Sequence, residues 1–256
     1  MANIIRSAKS GNDWSTNELF GYNITIQTQS VVDFFGHEPY SIDHLDPDLF
    51  SLSNPSTFVP TEISVPTRRF LEYLYLTTQP GASDSTFIGV ANSVLEATNF
   101  NEQIGTAFLR PHRIPFTICG DTNRKAISDI CLLSTRLRVR PLILLLVQQH
   151  KPTFGSSGPE PPVIAGAIAT FQDNNRNRAE MGLPTLDTMT IPCITVMGTR
   201  PLFYKVPVTQ HLSDCVVTGQ FPHAPNSCNT VWSACPTRSG RRHGVPRLSA
   251  YRPLLL

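Results

Sequence analysis

The chain has no long apolar run. Its longest, Leu142 to Val147 within LILLLVQQHK, is far short of the about 20 residues that a membrane-spanning helix needs, so no membrane partner is expected. The opening residues, MANIIRSAKSGNDW, hold no stretch resembling a secretory signal. There is also no Cys-x-x-Cys pair. Six cysteines (Cys119, Cys131, Cys193, Cys215, Cys228 and Cys235) are scattered along the chain, which favours free thiols in a reducing compartment over a disulfide framework. An intracellular location, cytoplasmic or nuclear, is the expectation. Cys228, Cys235, His223 and His243 do not have the spacing of a zinc site. The absence of a Gly-x-Ser-x-Gly elbow, a phosphate-binding loop and a dinucleotide fingerprint argues against serine hydrolase, NTPase and Rossmann readings.

What is present supports one large domain. With 256 residues, 40% of them hydrophobic, the chain can bury a sizeable core. The net charge of +2 conceals an asymmetry. Through Ser128 there are 13 acidic and 8 basic residues, leaving −5; from Asp129 onward 6 acidic and 13 basic residues leave +7. A polyanionic partner would therefore meet the second half, unless that charge is simply a solvated surface.

Apolar and polar residues alternate in NITIQTQ, as in a half-exposed strand, and a Pro- and Asp-rich connection follows from Pro39 to about Pro66. TRRFLEYLYLTT predicts a helix with Thr67 as N-cap and Phe70, Leu71, Leu74 and Tyr75 on its apolar side. A second helix, capped by Ser83 or Asp84, carries Phe87, Val90, Ala91, Val94 and Leu95 and ends near Asn99. IPFTICG, AISDICLL and LILLLVQQ read as three consecutive strands of one sheet, with GDTNRK and STRLRVRP as turns. A flexible PTFGSSGPEPP precedes a helix with Pro161 or Pro162 in its first turn and Gly182 as its stop. IPCITVMG and LFYKVPV then predict two strands, followed by a short helix over 210–217; beyond Pro222 the pattern fails and a poorly ordered tail is expected. The order is that of an α/β core.

Two of these strands place ionisable residues among apolar neighbours: Asp129 in AISDICLL and Lys151 after LILLLVQQ. A carboxylate in a strand must be paired, hydrogen-bonded or metal-bound, because leaving it bare costs several kcal/mol, roughly. A surface arginine such as Arg136 or Arg124 is one partner. A divalent metal for phosphodiester hydrolysis is the other, since Mg²⁺ takes hard oxygen ligands and few carboxylates, and a nearby lysine can assist the attacking water. Alternation puts Gln149 and Lys151 on one strand face and Gln148 and His150 on the other. Arg176 and Arg178, clustered with Gln172 and Asn174, and Arg124 with Lys125 read either as phosphate contacts or as solvated basic residues.

In order, the segments WSTNELFGYNITIQTQSVVDFFG, IPFTICGDTNRKAISDICLL, LLLVQQHK, EPPVIAGAIATFQDNNRNR and IPCITVMGTRPLFYKVPVTQHL resemble a group of uncharacterised fungal proteins, chiefly from basidiomycetes. Those proteins look like relatives of the PD-(D/E)XK nuclease superfamily. The resemblance covers about residues 8–225 and implies a restriction-endonuclease-like α/β core of helix, three strands, helix and further strands. The element order divides the chain into an irregular N-terminal extension over 1–82 packed on the core, a nuclease-like core over 83–222 and a poorly ordered basic tail over 223–256, which departs from the family's ending. Asp129 matches the motif's aspartate and Lys151 its lysine, while Gln149 stands where a glutamate is usual. Asp129 and Gln149 would hold Mg²⁺ or Mn²⁺, with DNA or RNA as substrate and Gln172 as a further residue to watch. Gln149 removes a full negative charge from the metal shell, and the preceding helix offers Glu96 near its end. A catalytically inactive nuclease-fold binding or structural protein is the alternative.

Overall fold

A computed structural model describes residues 7–37, 64–97, 104–137, 139–150 and 158–232. Its frame is a seven-stranded mixed sheet. The strands are β1 (Ile24–Thr28), β2 (Thr106–Leu109), β5 (Ile130–Ser134), β6 (Leu142–His150), β7 (Thr188–Met197), β8 (Arg200–Thr209) and β9 (Asn226–Trp232), arranged β1-β9-β8-β7-β6-β5-β2. The pairs β6/β7 and β1/β9 are parallel, and the other neighbours are antiparallel. Strands β3 (His112–Ile118) and β4 (Asp121–Ser128) form a separate two-stranded ribbon.

Helices cover both faces of the sheet, so its central strands carry apolar residues on both sides. The helices are α1 (Thr16–Gly21), α2 (Val31–Phe35), α3 (Val65–Thr77), α4 (Asp84–Ala97), α5 (Glu160–Glu180) and α6 (Gln210–Thr218). On one face Leu146, Cys193 and Tyr204 pack with Ile164, Ala167, Ile168 and Phe171 of α5 and with Trp14 and Phe116. On the other, Leu145, Val147, Ile194 and Phe203 pack with Phe34, Phe70, Leu71, Val90 and Leu95. Each fully buried Leu, Ile or Phe contributes about 1.5–3 kcal/mol. From Val163 to Phe171, α5 is buried on every side, as befits a central helix. Gly11 marks how closely the chain is packed here: a Cβ at that position would lie 2.8 Å from the Ala126 Cβ.

Beyond Phe171, α5 turns polar, yet Asp173, Asn174, Asn175 and Asn177 are also buried. Its amide side chains act as substitutes for strand backbone. The parallel β6/β7 ladder begins at Leu146 and Cys193, leaving the earlier residues of both strands without partners in that gap. Asn174 accepts from the Ile143 N–H (2.8 Å) and donates to the Ile143 carbonyl (2.9 Å). Asn175 does the same for Leu186, at 2.9 Å each way. Gln172 accepts from the Thr117 N–H (2.9 Å) and donates to its carbonyl (3.1 Å), which ties the ribbon to α5. Asn12 closes the ribbon's opposite edge, accepting from the Ile127 N–H (2.7 Å) and donating to the Ile127 carbonyl (3.2 Å).

Several expectations are corrected. GDTNRK is not a turn. Only Cys119 and Gly120 turn, both at positive φ (50° and 79°), as a two-residue type I′ hairpin requires, and Asp121 already belongs to β4. The Cys119 and Gly120 N–H groups donate to the Val216 and Val217 carbonyls (2.9 and 2.7 Å), docking the ribbon tip on α6. IPFTICG and the first part of AISDICLL therefore form the ribbon, and Asp129 is the junction at which the chain enters the main sheet. Ser64, not Thr67, caps α3: its hydroxyl accepts from the Thr67 N–H, and Thr67 is buried. The chain beyond Pro222 is not all tail, since Asn226–Trp232 forms β9 between β1 and β8. That places β1, within the expected extension, in the same sheet as the core strands. The 233–256 segment, with Cys235 and His243, and most of the Pro- and Asp-rich connection lie outside the described residues. The five described cysteines are free, and no described helix is long and apolar enough to cross a membrane.

Asn174→Leu should expose the importance of these amides. It strands the N–H and carbonyl of Ile143, each unpaired buried group costing about 1–3 kcal/mol. Thermal unfolding should show a melting temperature lower by roughly 5–15 °C, at about 2–4 °C per kcal/mol for a chain of this size. Asn177→Ala, which loses longer bonds of 3.2 and 3.4 Å, should fall by less.

Candidate functional site

Asp129 sits where β4 ends and β5 begins. Ser128 turns inward there, its buried hydroxyl within 2.8 Å of the Ile130 carbonyl and 2.9 Å of the Val147 carbonyl, and so fixes the junction against β6. The Asp129 carboxylate Oδ2 accepts the main-chain N–H of Gln149 at 2.7 Å, just beyond the terminal β5/β6 pair, Ile130 with Val147. Two residues twenty apart in sequence are thereby held together. Gln148 turns toward α5 and donates to the Ile127 carbonyl at 3.1 Å, linking β6 to the ribbon.

Asp129, Gln148, Gln149 and His150 line one cleft of about 190 Å³, together with Asn12, Ile127, Thr195 and the Pro159 and Pro162 start of α5. It lies beyond the carboxyl end of β6, beside the crossover to parallel β7, where open α/β sheets present their loops to ligands. Its lining is rich in oxygen acceptors and contains no lysine or arginine among the described residues.

Burial raises the Asp129 carboxyl above the ordinary carboxylate range. The Gln149 N–H opposes this, and the negative charge of Asp84, in the first turn of α4, adds to it. Burial lowers the His150 imidazole below its ordinary value, against the opposing charge of Glu160. The neighbouring Cys131 thiol is pushed up to about 12, mainly by burial, and is inert.

The expected partners of Asp129 are engaged elsewhere. Arg124 pairs with Asp121 at 2.8 Å, and Arg136 packs over Gly105. Glu96 bonds Arg69 and Asn92, each at 2.8 Å, so the acid of α4 that acts on Asp129 is Asp84. The residues read as phosphate contacts are largely structural. Gln172 binds Thr117, Arg176 pairs with Asp173, and Arg178 donates to the Pro184 carbonyl at 2.9 Å to close the end of α5. Lys125 alone of that group stays exposed without a salt bridge among the described residues. Lys151 lies outside the described residues. Sequence reasoning missed Asn12 and Thr195, neither of which stands out from neighbouring polar residues.

Among the described residues no three His, Cys, Asp or Glu side chains converge on one point. Asp129 and Gln149 both line the cleft and touch through the Gln149 main-chain N–H; a carboxylate and an amide oxygen are the hard donors that this pair could offer a divalent cation that keeps most of its water.

The raised carboxyl makes a pH prediction. The folded chain holds the Asp129 proton more tightly than the unfolded chain, so ionisation costs stability above the raised value and nothing below the ordinary one. Asp129→Asn keeps an acceptor for Gln149. Its melting temperature should exceed that of wild type at pH 7, and the two should converge as the pH falls below the ordinary carboxylate range. Compared with known proteins, the chain matches no family model and no curated sequence.

Proposed function

We propose that the chain is a nuclease-like protein of the PD-(D/E)XK kind, acting on the phosphodiester backbone of DNA or RNA with a degenerate Asp129…Gln149-x-Lys151 site. One observation carries the reading: the start of β5 and the end of β6 hold the Asp129 carboxylate on the Gln149 main-chain N–H at 2.7 Å, and both residues line one polar cleft. The run of helix α4, antiparallel β5 and β6, crossover helix α5 and parallel β7 is consistent with a restriction-endonuclease-like core.

Asp129 and Gln149 would hold Mg²⁺ or Mn²⁺ through a carboxylate and an amide oxygen. When bound, the cation supplies positive charge to the phosphate and acidifies a water ligand. The protein's own contribution is positional. Gln149 N–H fixes the carboxylate's orientation, and Gln148 and Asn12 pin the ribbon carbonyl beside it. A carboxylate kept partly buried beside a second acid is unfavourable for the empty protein, and a cation relieves that cost. In the motif, Lys151 supports the attack on phosphorus.

A second reading is a binding protein without hydrolysis. It is favoured by the fact that Asp129 meets the main chain of Gln149, whose side chain is neutral.

Incubating purified protein with DNA and with RNA, in Mn²⁺ or EDTA, tests the proposal. Wild type should cleave only with the metal, Asp129→Asn and Lys151→Ala should lose at least about 100-fold, and Gln149→Glu should gain about 10-fold or more. Equal cleavage by wild type and Lys151→Ala would mean a contaminant and sink the assignment. No cleavage even by Gln149→Glu would leave the binding reading.

A further inference from the structure

The β3–β4 ribbon buries one face and exposes the other. Ile114, Phe116, Ile118 and Ala126 point into the core with α5. Arg113 lies opposite Ile127 and Pro115 opposite Lys125, so strand alternation puts these four on the outward side. Arg113, Pro115 and Lys125 are exposed.

Arg113 and Lys125 are diagonal neighbours in this ladder, about 7–8 Å apart at the backbone and within reach of one long extended ligand. Neither forms a salt bridge among the described residues. By contrast Arg69, Arg110, Arg124, Arg140 and Arg176 all face carboxylates. Ile127, on the same ribbon side, lines the cleft, and Asp129 follows two residues later. Four residue steps of extended chain, roughly 13 Å at most, lead from Lys125 to Asp129. The outer ribbon face thus carries positive charge up to the rim of an acceptor-lined cleft.

We infer that this face is a docking surface for the phosphodiester backbone of a single-stranded nucleic acid, with Arg113 and Lys125 each meeting a phosphate and directing the strand toward Asp129. The inference rests on the nucleic-acid reading above and goes beyond it by naming the surface. Charge complementarity selects the partner through this local pair, although it lies in the half of the chain whose charges sum to −5. The flexibility of a single strand suits it to lie along a ribbon whose inner face is buried and then bend into a cleft of about 190 Å³. Arginine supplies a forked contact and lysine a point charge, which give affinity without reading sequence.

Fluorescence anisotropy of a labelled single-stranded DNA of about 20 nucleotides, in EDTA and from about 50 to about 200 mM salt, tests the surface. Arg113→Gln and Lys125→Gln should each weaken binding several-fold at low salt. Each should also reduce the slope of log K against log salt by about 0.7, and the double variant by about 1.4. Unchanged melting temperatures would show that folding is intact; a variant that melts early is replaced by Arg113→Lys or Lys125→Arg, which should bind like wild type. If wild type binds but the double variant keeps its affinity and slope, the ribbon surface is wrong while the nuclease reading stands. Duplex bound more tightly than single strand would also overturn it. If wild type binds no nucleic acid, the broader reading fails too.

Discussion

The architecture depends on a constraint that parallel strands impose: where two of them splay, backbone amides and carbonyls lose their ladder partners, and burying them unpaired is costly. The chain meets it with side-chain amides on α5. Asn174 and Asn175 each offer one acceptor and one donor in the spacing of a peptide group; the first completes the opening of β6 at Ile143 and the second holds Leu186 in the loop that leads into β7. Gln172 and Asn12 do the same at the two edges of the ribbon. The ribbon could otherwise present bare edges, and the carbonyl of Ile127 would not be fixed beside Asp129. The candidate site is therefore downstream of a hydrogen-bonding solution that belongs to the fold.

The role of FQDNNRNR is hidden from composition. A run of Gln, Asp, Asn and Arg has the composition of a solvated helix end or a phosphate-binding patch, yet Asn174 is 2% exposed and Asn175 7%. Composition reports the cost of burying such groups; it does not report the partner that removes the cost. The apolar half of the same helix was legible because burial there needs only periodicity and small residues. β7, β8 and α6 were legible for similar reasons: IPCITVMG and LFYKVPV are rich in residues suited to a two-sided core, and Thr209 and Gly219 bracket a short helix. β9 escaped because NSCNTVW has few large apolar residues. Its place between β1 and β8 is set by backbone pairing and by small buried residues such as Cys228 and Thr230.

The site was legible in part. An aspartate flanked by Ile and Ser on one side and Ile and Cys on the other must have a partner, and Asp129 has one. The partner was a main-chain N–H, invisible to any scan for opposite charges. Asp84 escaped for a related reason: it reads locally as a helix cap, and its effect on Asp129 exists only once α4 lies against the sheet. The spacing of Asp129 and Gln149 was informative because antiparallel neighbours joined by a loop return the end of one strand to the start of the other.

A functional account of the cleft turns on whether a carboxylate and a neutral amide suffice to hold a divalent ion when burial already works against the carboxylate's charge. The most direct measurement is anomalous diffraction from crystals of the protein soaked in Mn²⁺. The account predicts a single strong peak in the cleft at about 2.1 Å from an Asp129 carboxylate oxygen, with the Gln149 amide oxygen in the same shell, lost in Asp129→Asn crystals. A cleft without manganese, or a peak that persists unchanged without the Asp129 carboxylate, would contradict it.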